Sequence, residues 1–247
     1  MNVLGIDVGG SGIKGAIINT ETGAFITERY RVDTPKPSTP ALVADAISAI
    51  SNNFQWKGLV GVGFPAVVRN GIVYTASNID KSWIGTNASA IFEAKTGNKV
   101  YVLNDADAAG YAEFLYGHVA KTKGVVIVIT IGTGLGTAIF TDGILVPNTE
   151  FGHLQFKGVV AEQYASDATR KKLDLTWDEW GRRFNEYLKY LEFLFSPELF
   201  ILGGGASKKL DKFIHNFTVY TPVTAAALEN NAGIIGAACM AALKSDS

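Results

Sequence analysis

The chain has 247 residues, 47% of them apolar and 18% charged, and a net charge of −1. That suits a globular protein with one large core or two modest ones, and the near-neutral balance argues against nucleic acid as a partner. The single cysteine, Cys239, excludes an internal disulfide, and no apolar run reaches the ~20 residues needed to span a bilayer, so no membrane partner is expected.

Met1-Asn2 leads directly into an apolar run, so no leader is expected and the chain reads as cytoplasmic. A buried strand over residues 3–8 enters the turn Gly9-Gly10-Ser11-Gly12 and returns over 13–19. Thr22-Gly23 turns the chain into a third strand over 25–32. Thr34-Pro35-Lys36-Pro37-Ser38-Thr39-Pro40 is a rigid loop, with Thr39 placed to cap a helix that has Pro40 at its first position. A buried strand over 59–64 follows, then a hairpin about Arg69-Asn70-Gly71. A helix over 86–95, a strand over 100–103 and the helix Asp105–Tyr116, closed by Gly117, complete the first half.

The second half repeats the plan. Strands over 125–131 and 135–140 flank Gly132-Thr133-Gly134, and Asp142-Gly143 turns. Residues 156–176 read as irregular with a short helix. Trp177, Trp180, Phe184, Tyr187, Leu188, Leu191 and Leu194 mark a long amphipathic helix, with Thr176 and Glu179 as its capping box and Ser196-Pro197 as its stop. Strands over 199–202 and 217–220 and a helix over 232–244 finish the chain. Strands alternating with helices, with a hairpin opening each half, predict α/β sheets flanked by helices in two domains, 1–117 and 118–247, the last helix being free to pack back on the first domain.

The two glycine turns are copies of one another, the second a residue shorter. So little side chain leaves backbone N–H groups bare, and bare N–H groups bind phosphate oxygens. Asp7 beside the first turn is placed to orient Mg²⁺, directly or through water, and Lys14 to balance phosphate charge. The other reading of this turn, a plain hairpin with a capping Asp, stays open. Gly203-Gly204-Gly205 reads equally as a ligand approach or as a tight turn with Ser207 as cap. Asn104-Asp105-Ala106-Asp107 follows a strand and opens a helix, where Asp105 is placed to take a hydroxyl proton and Asp107 to favour the helix dipole. Glu150 and His153 form a pair able to hydrogen-bond vicinal hydroxyls; one cysteine and three histidines are thin for a closed zinc site. The basic clusters Arg170-Lys171-Lys172, Arg182-Arg183 and Lys208-Lys209 are interleaved with acids and read as solvated faces, though Lys208-Lys209 and the pair Lys121 and Lys123 also suit the exit of a donor groove.

Taken together, the motifs from Asp7 to Gly15, Asn104 to Gly110, Gly132 to Thr137, Glu150-Phe151-Gly152-His153 and Leu194 to Gly205 resemble the ROK family of sugar kinases in the actin-like ATPase superfamily, and within it the polyphosphate glucokinases. The resemblance implies two actin-like (ribonuclease H-like) domains, each a mixed sheet flanked by helices, with an interdomain active-site cleft. It implies Asp105 as the base on the 6-hydroxyl of glucose, with Asn78, Asn104, Asp105, Glu150, His153 and Glu162 holding the sugar. Asp7, Gly9, Gly10, Ser11, Gly12, Lys14, Gly132, Thr133, Gly134, Gly204 and Gly205 would hold the donor, inorganic polyphosphate or ATP, with Mg²⁺. A homodimer is expected. Typical members carry a cysteine-rich zinc segment before the second glutamate; residues 156–163 contain no cysteine, so no structural zinc is expected. The family's sugar-responsive repressors carry a helix-turn-helix before the first loop, whereas this chain has two residues before its first expected strand.

Overall fold

The computed structural model describes residues 1–119 and 122–245. The chain divides into two units, one made of Met1–Ala112 with Asn231–Ser247, the other of Glu113–Asn230.

In the first unit β1 (Asn2–Val8), β2 (Gly12–Asn19) and β3 (Tyr30–Asp33) form an antiparallel meander. Helix α1 (Pro40–Asn53) leads to β4 (Val60–Phe64), which lies parallel to β1. A hairpin of β5 (Val68–Arg69) and β6 (Ile72–Val73) turns on Asn70 and Gly71, both at positive φ as this tight turn demands. Helix α2 (Ala88–Thr96), capped by Asn87, precedes β7 (Val100–Asn104), and α3 (Asp105–Tyr116) follows. The sheet order is β3-β2-β1-β4-β7.

Alternation along the strands sorts the two faces. Leu4, Ile6, Val60 and Val62 bury against Val43, Ile47 and Ile50 of α1 and Phe92 of α2. The intervening Gly5 and Gly61 face the C-terminal helix, Ala232–Ser245. A Cβ on Gly61 would stand 1.9 Å from the Ala237 carbonyl oxygen, and one on Gly5 2.1 Å from that of Ile234. The helix answers with small residues, including Gly236, Ala237, Ala238 and the buried Cys239, so backbone packs on backbone.

The second unit repeats this topology. β8 (Val125–Ile131), β9 (Leu135–Thr141) and β10 (Ile144–Val146) form the meander. A hairpin of β11 (Gln155–Phe156) and β12 (Val159–Val160) leads into α4 (Ala161–Ala165), α5 (Asp167–Lys172) and α6 (Trp177–Phe195). β13 (Leu199–Gly203) lies parallel to β8, and β14 (Val223–Ala225) parallel to β13, giving the order β10-β9-β8-β13-β14. Trp180, Phe184, Tyr187, Leu188 and Leu191 of α6 bury against Ile127, Ile129 and Phe200. The Thr176/Glu179 capping box is formed, a feature worth ~1 kcal/mol.

Four expectations change. The strand expected over 25–32 shrinks to Tyr30–Asp33, with only an isolated bridge from Phe25 to Ile18, because the Thr27 hydroxyl accepts the Ile17 N–H that a ladder would use. The strand expected over 217–220 is absent, and β14 begins at Val223. Side chains of α6 explain this: Asn185 accepts the Thr218 N–H and Glu192 the Thr221 N–H, so those amides have no need of a ladder. The segment expected to be irregular holds the β11–β12 hairpin and two helices, the second capped by Ser166. Thr39 sits at the N-cap of α1 without a side-chain capping bond.

Candidate active site

The two glycine turns are built alike. Gly9 N–H donates to Gly12 O at 3.2 Å, and Gly132 N–H donates to Gly134 O at 3.1 Å. Each first glycine is also held from behind. The Thr34 hydroxyl donates to Gly9 O at 2.5 Å, and Ala168 N–H donates to Gly132 O at 3.2 Å. Arg31, paired with Asp33, donates to Ser11 O at 2.7 Å. Neither Thr34, Ala168 nor Arg31 stands out in the sequence, since each lies far along the chain from the turn it holds.

Gly10, Gly132 and Gly205, one in each of the three glycine turns, share a property. A Cβ added to any of them meets nothing within 4 Å, and none has a positive φ. The fold therefore does not require glycine there; the open space suits a ligand that approaches the backbone closely. Gly204 is different: its φ is +80° and a Cβ would stand 2.4 Å from Ile131 O. Its carbonyl accepts from Ser207 Oγ at 2.8 Å.

Asp7 and Lys14 are cross-strand partners in β1 and β2. Burial raises the pKa of Asp7, and the positive charge of Lys14 opposes that rise. Such a carboxylate fits Mg²⁺, which is held by one or two carboxylates together with donor oxygens and water. Among the described residues, no cluster of three or more His, Cys, Asp or Glu is arranged to hold a metal on its own.

Asn104 ends β7 and Asp105 opens α3. Asn104 is buried; its Oδ1 accepts the N–H groups of Ala106 and Asp107, and its Nδ2 donates to Ala66 O. It therefore serves as cap and anchor for the residue beside it. Asp107 is buried, whereas Asp105 is only partly so, its Oδ1 accepting the Ala106 N–H at 2.8 Å. Asp105 is thus the more accessible carboxylate at a strand's carboxyl end, where α/β sheets gather ligands. Asn78 is exposed and lines a pocket with Gly9 and Gly10.

The second unit brings Glu150, His153 and Glu162 together. His153 Nδ1 lies 3.0 Å from Glu150 Oε2, and Nε2 lies 3.7 Å from Glu162 Oε1. Gly152 permits this turn, since a Cβ there would stand 2.1 Å from Leu135 O. The Thr137 hydroxyl accepts the Phe151 N–H, tying the motif to β9. Leu135 N–H donates to Glu162 Oε2 at 3.4 Å, so Glu162 and the turn after Ile131 are linked. Buried Tyr187, its hydroxyl without a hydrogen-bond partner among the described residues, feels the Glu162 charge; burial first and that charge second push its pKa upward.

Part of the basic clusters is ion-paired. Arg170 and Lys171 pair with Asp167, and Lys208 pairs with Glu229 at 2.5 Å. Lys121 lies outside the described residues.

Two actin-like, ribonuclease H-like sheets with paired glycine turns and a strand-end aspartate define a phosphotransferase architecture, and the chain belongs to the ROK family, whose family model matches residues 3–169. It is 48% identical over 235 residues to a polyphosphate glucokinase of Mycobacterium tuberculosis, covering 95% of this chain and 89% of that one. It is 28% identical to a glucokinase of Streptomyces coelicolor across 96% of each chain. Among solved structures, an inorganic polyphosphate/ATP-glucomannokinase from Arthrobacter sp. strain KM superposes with a TM-score of 0.96 at 46% identity, covering 98% of this chain and 99% of that one. A ROK family glucokinase from Streptomyces griseus, in complex with glucose and AMPPNP, gives 0.82 at 26% identity, covering 98% and 100%. No helix among the described residues is long and apolar enough to cross a membrane.

Proposed function

We propose that this chain transfers a terminal phosphoryl group from inorganic polyphosphate to the 6-hydroxyl of glucose, with ATP as a second donor. The observation that carries the reading is the partly exposed Asp105, held at a strand end by the Asn104 cap. A carboxylate there accepts the proton of an attacking hydroxyl. Glu150, His153 and Glu162 supply a hydrogen-bonding triad for the other hydroxyls, and Asn78 lies on the wall of the pocket beside the first turn. The turns at residues 9–12, 132–134 and 203–205 offer N–H groups to phosphate oxygens, supported by Lys14. Bound Mg²⁺ would be held by Asp7 and would neutralise phosphate charge. A site built to bond a hydroxyl rejects a sugar that lacks it, because its own polar groups are left unpaired.

Similarity along nearly the whole chain to proteins named as polyphosphate glucokinases and as a polyphosphate/ATP-glucomannokinase supports polyphosphate as the donor. A homodimer belongs to the same reading, and Phe193, 82% exposed on α6, offers apolar surface for it. The test is a coupled assay for glucose 6-phosphate with Mg²⁺, glucose and either ATP or polyphosphate of several lengths. Turnover with polyphosphate is expected; turnover with ATP alone makes the chain an ordinary hexose kinase, and none with either removes the assignment.

A further inference from the structure

Beside the first glycine turn, the first unit holds a pocket of about 270 Å³. Gly9 and Gly10 form one wall, residues 34–38 a second, and Asn78 with Asp80 part of a third. The loop over residues 34–38 is pinned at both ends. The Thr34 hydroxyl donates to Gly9 O, Ser38 Oγ accepts the Asp80 N–H at 3.2 Å, and Ser38 O accepts the indole N–H of buried Trp83 at 2.9 Å. Lys36 sits in the middle of that loop between Pro35 and Pro37, whose rings fix φ. Lys36 lines the pocket, and its ammonium makes no hydrogen bond or ion pair among the described residues. Lys95 pairs with Asp45 and Lys99 with Glu93, whereas Lys14, Lys57 and Lys81, like Lys36, form no ion pair among the described residues.

The one carboxylate lining this pocket is already engaged. Asp80 Oδ1 accepts from both the N–H and the hydroxyl of Ser82, and these bonds hold its pKa below the ordinary aspartate value. Facing it are a cation on a fixed loop and a bare glycine turn. That combination matches a phosphate group: backbone N–H groups and one ammonium take its oxygens, while Asn78 suits a hydroxyl.

We propose that Lys36 is a phosphate-contacting residue of the reaction, its ammonium engaging a phosphate in this pocket. The proposal rests on the phosphotransferase reading above. Two sources share the chemistry: the terminal phosphate of the donor and the 6-phosphate of the sugar product.

The experiment is calorimetric titration of wild type, Lys36→Ala and Lys36→Arg with two probes, tripolyphosphate without sugar and glucose 6-phosphate without donor, alongside urea unfolding to confirm folding. Loss of one charge-assisted contact weakens the engaged probe about tenfold in Lys36→Ala, and Lys36→Arg keeps most of the affinity. Weakening confined to tripolyphosphate assigns the donor; weakening confined to glucose 6-phosphate assigns the product. Unchanged affinity for both probes in a folded Lys36→Ala protein, or no binding of either by wild type, overturns the proposal. Because binding is read without turnover, a wild type that binds the probes through Lys36 but never phosphorylates glucose sinks the kinase reading and leaves the phosphate contact standing.

Discussion

Replacing Gly10, Gly132 or Gly205 with alanine separates a demand of the fold from a demand of the ligand. At all three positions the added methyl meets no atom within 4 Å, and the backbone needs no positive φ. The folded protein then bears almost no strain, while the unfolded chain loses entropy, so stability should rise by ~0.4–1 kcal/mol. For a chain of this size that is an upward shift in Tm of ~1–4 °C. The liganded state is different, because the methyl occupies the space through which phosphate oxygens reach the N–H groups. A displacement of ~1 Å at the reacting phosphate costs ~10²-fold in rate. Gly61→Ala is the internal contrast. Its methyl would stand 1.9 Å from Ala237 O, so the C-terminal helix must move, at ~1–3 kcal/mol or more. Urea unfolding and steady-state kinetics on the same four proteins read both effects. Gly10→Ala should be stable and slow, and Gly61→Ala should be unstable. A stable Gly10→Ala protein with unchanged kcat and unchanged donor KM would refute the assignment of the first turn to phosphate.

Asp105→Asn should lower kcat by ~10²–10⁴-fold with the urea midpoint unchanged, since it removes the general base and keeps the shape; near-normal turnover removes Asp105 from the mechanism. Glu150→Gln and His153→Ala should raise the KM for glucose about tenfold and leave that of the donor alone, whereas a change confined to the donor reassigns both residues. Burial raises the pKa of Asp7, and a carboxylate so raised contributes stability below its unfolded pKa that is lost as pH rises through the folded value. Asp7→Asn should therefore unfold at higher urea than wild type at neutral pH. That gain should fade as pH falls through the raised folded-state pKa and be gone below the unfolded value of ~3.9, and turnover should be lost throughout; a stability gap independent of pH contradicts the argument. Raising ionic strength should increase the KM for long polyphosphate more than that for ATP, because more counterions are released along the longer chain; equal sensitivity counts against a polyphosphate groove.

Much of this is written in local sequence. A long helix shows itself through apolar residues at 3.6-residue spacing and the Thr176/Glu179 box, and α6 runs over Trp177–Phe195. The duplicated turns are legible because close approach to a backbone requires glycine whatever the rest of the fold does. Glu150 and His153 are visible as a motif, and Glu162 joins them only through the hairpin and short helix that the sequence leaves irregular. What escapes is long-range. Thr34 supports a turn from the far side of β3, and Asn185 and Glu192 take backbone groups that β propensity alone assigns to a strand over 217–220. The glycines facing the C-terminal helix read as weak points in strands, yet they are the contact surface on which that helix lies.

The central claim is tested most directly by following the phosphorus itself. Polyphosphate of defined length is mixed with glucose, Mg²⁺ and the purified protein, and phosphorus NMR tracks the terminal phosphate and any new monoester, in parallel with the Asp105→Asn variant. The account predicts that the terminal phosphate is lost as a monoester appears at the 6-position of glucose, with wild type and not with the variant. Release of free orthophosphate without a sugar phosphate, or equal monoester formation by the variant, would contradict it.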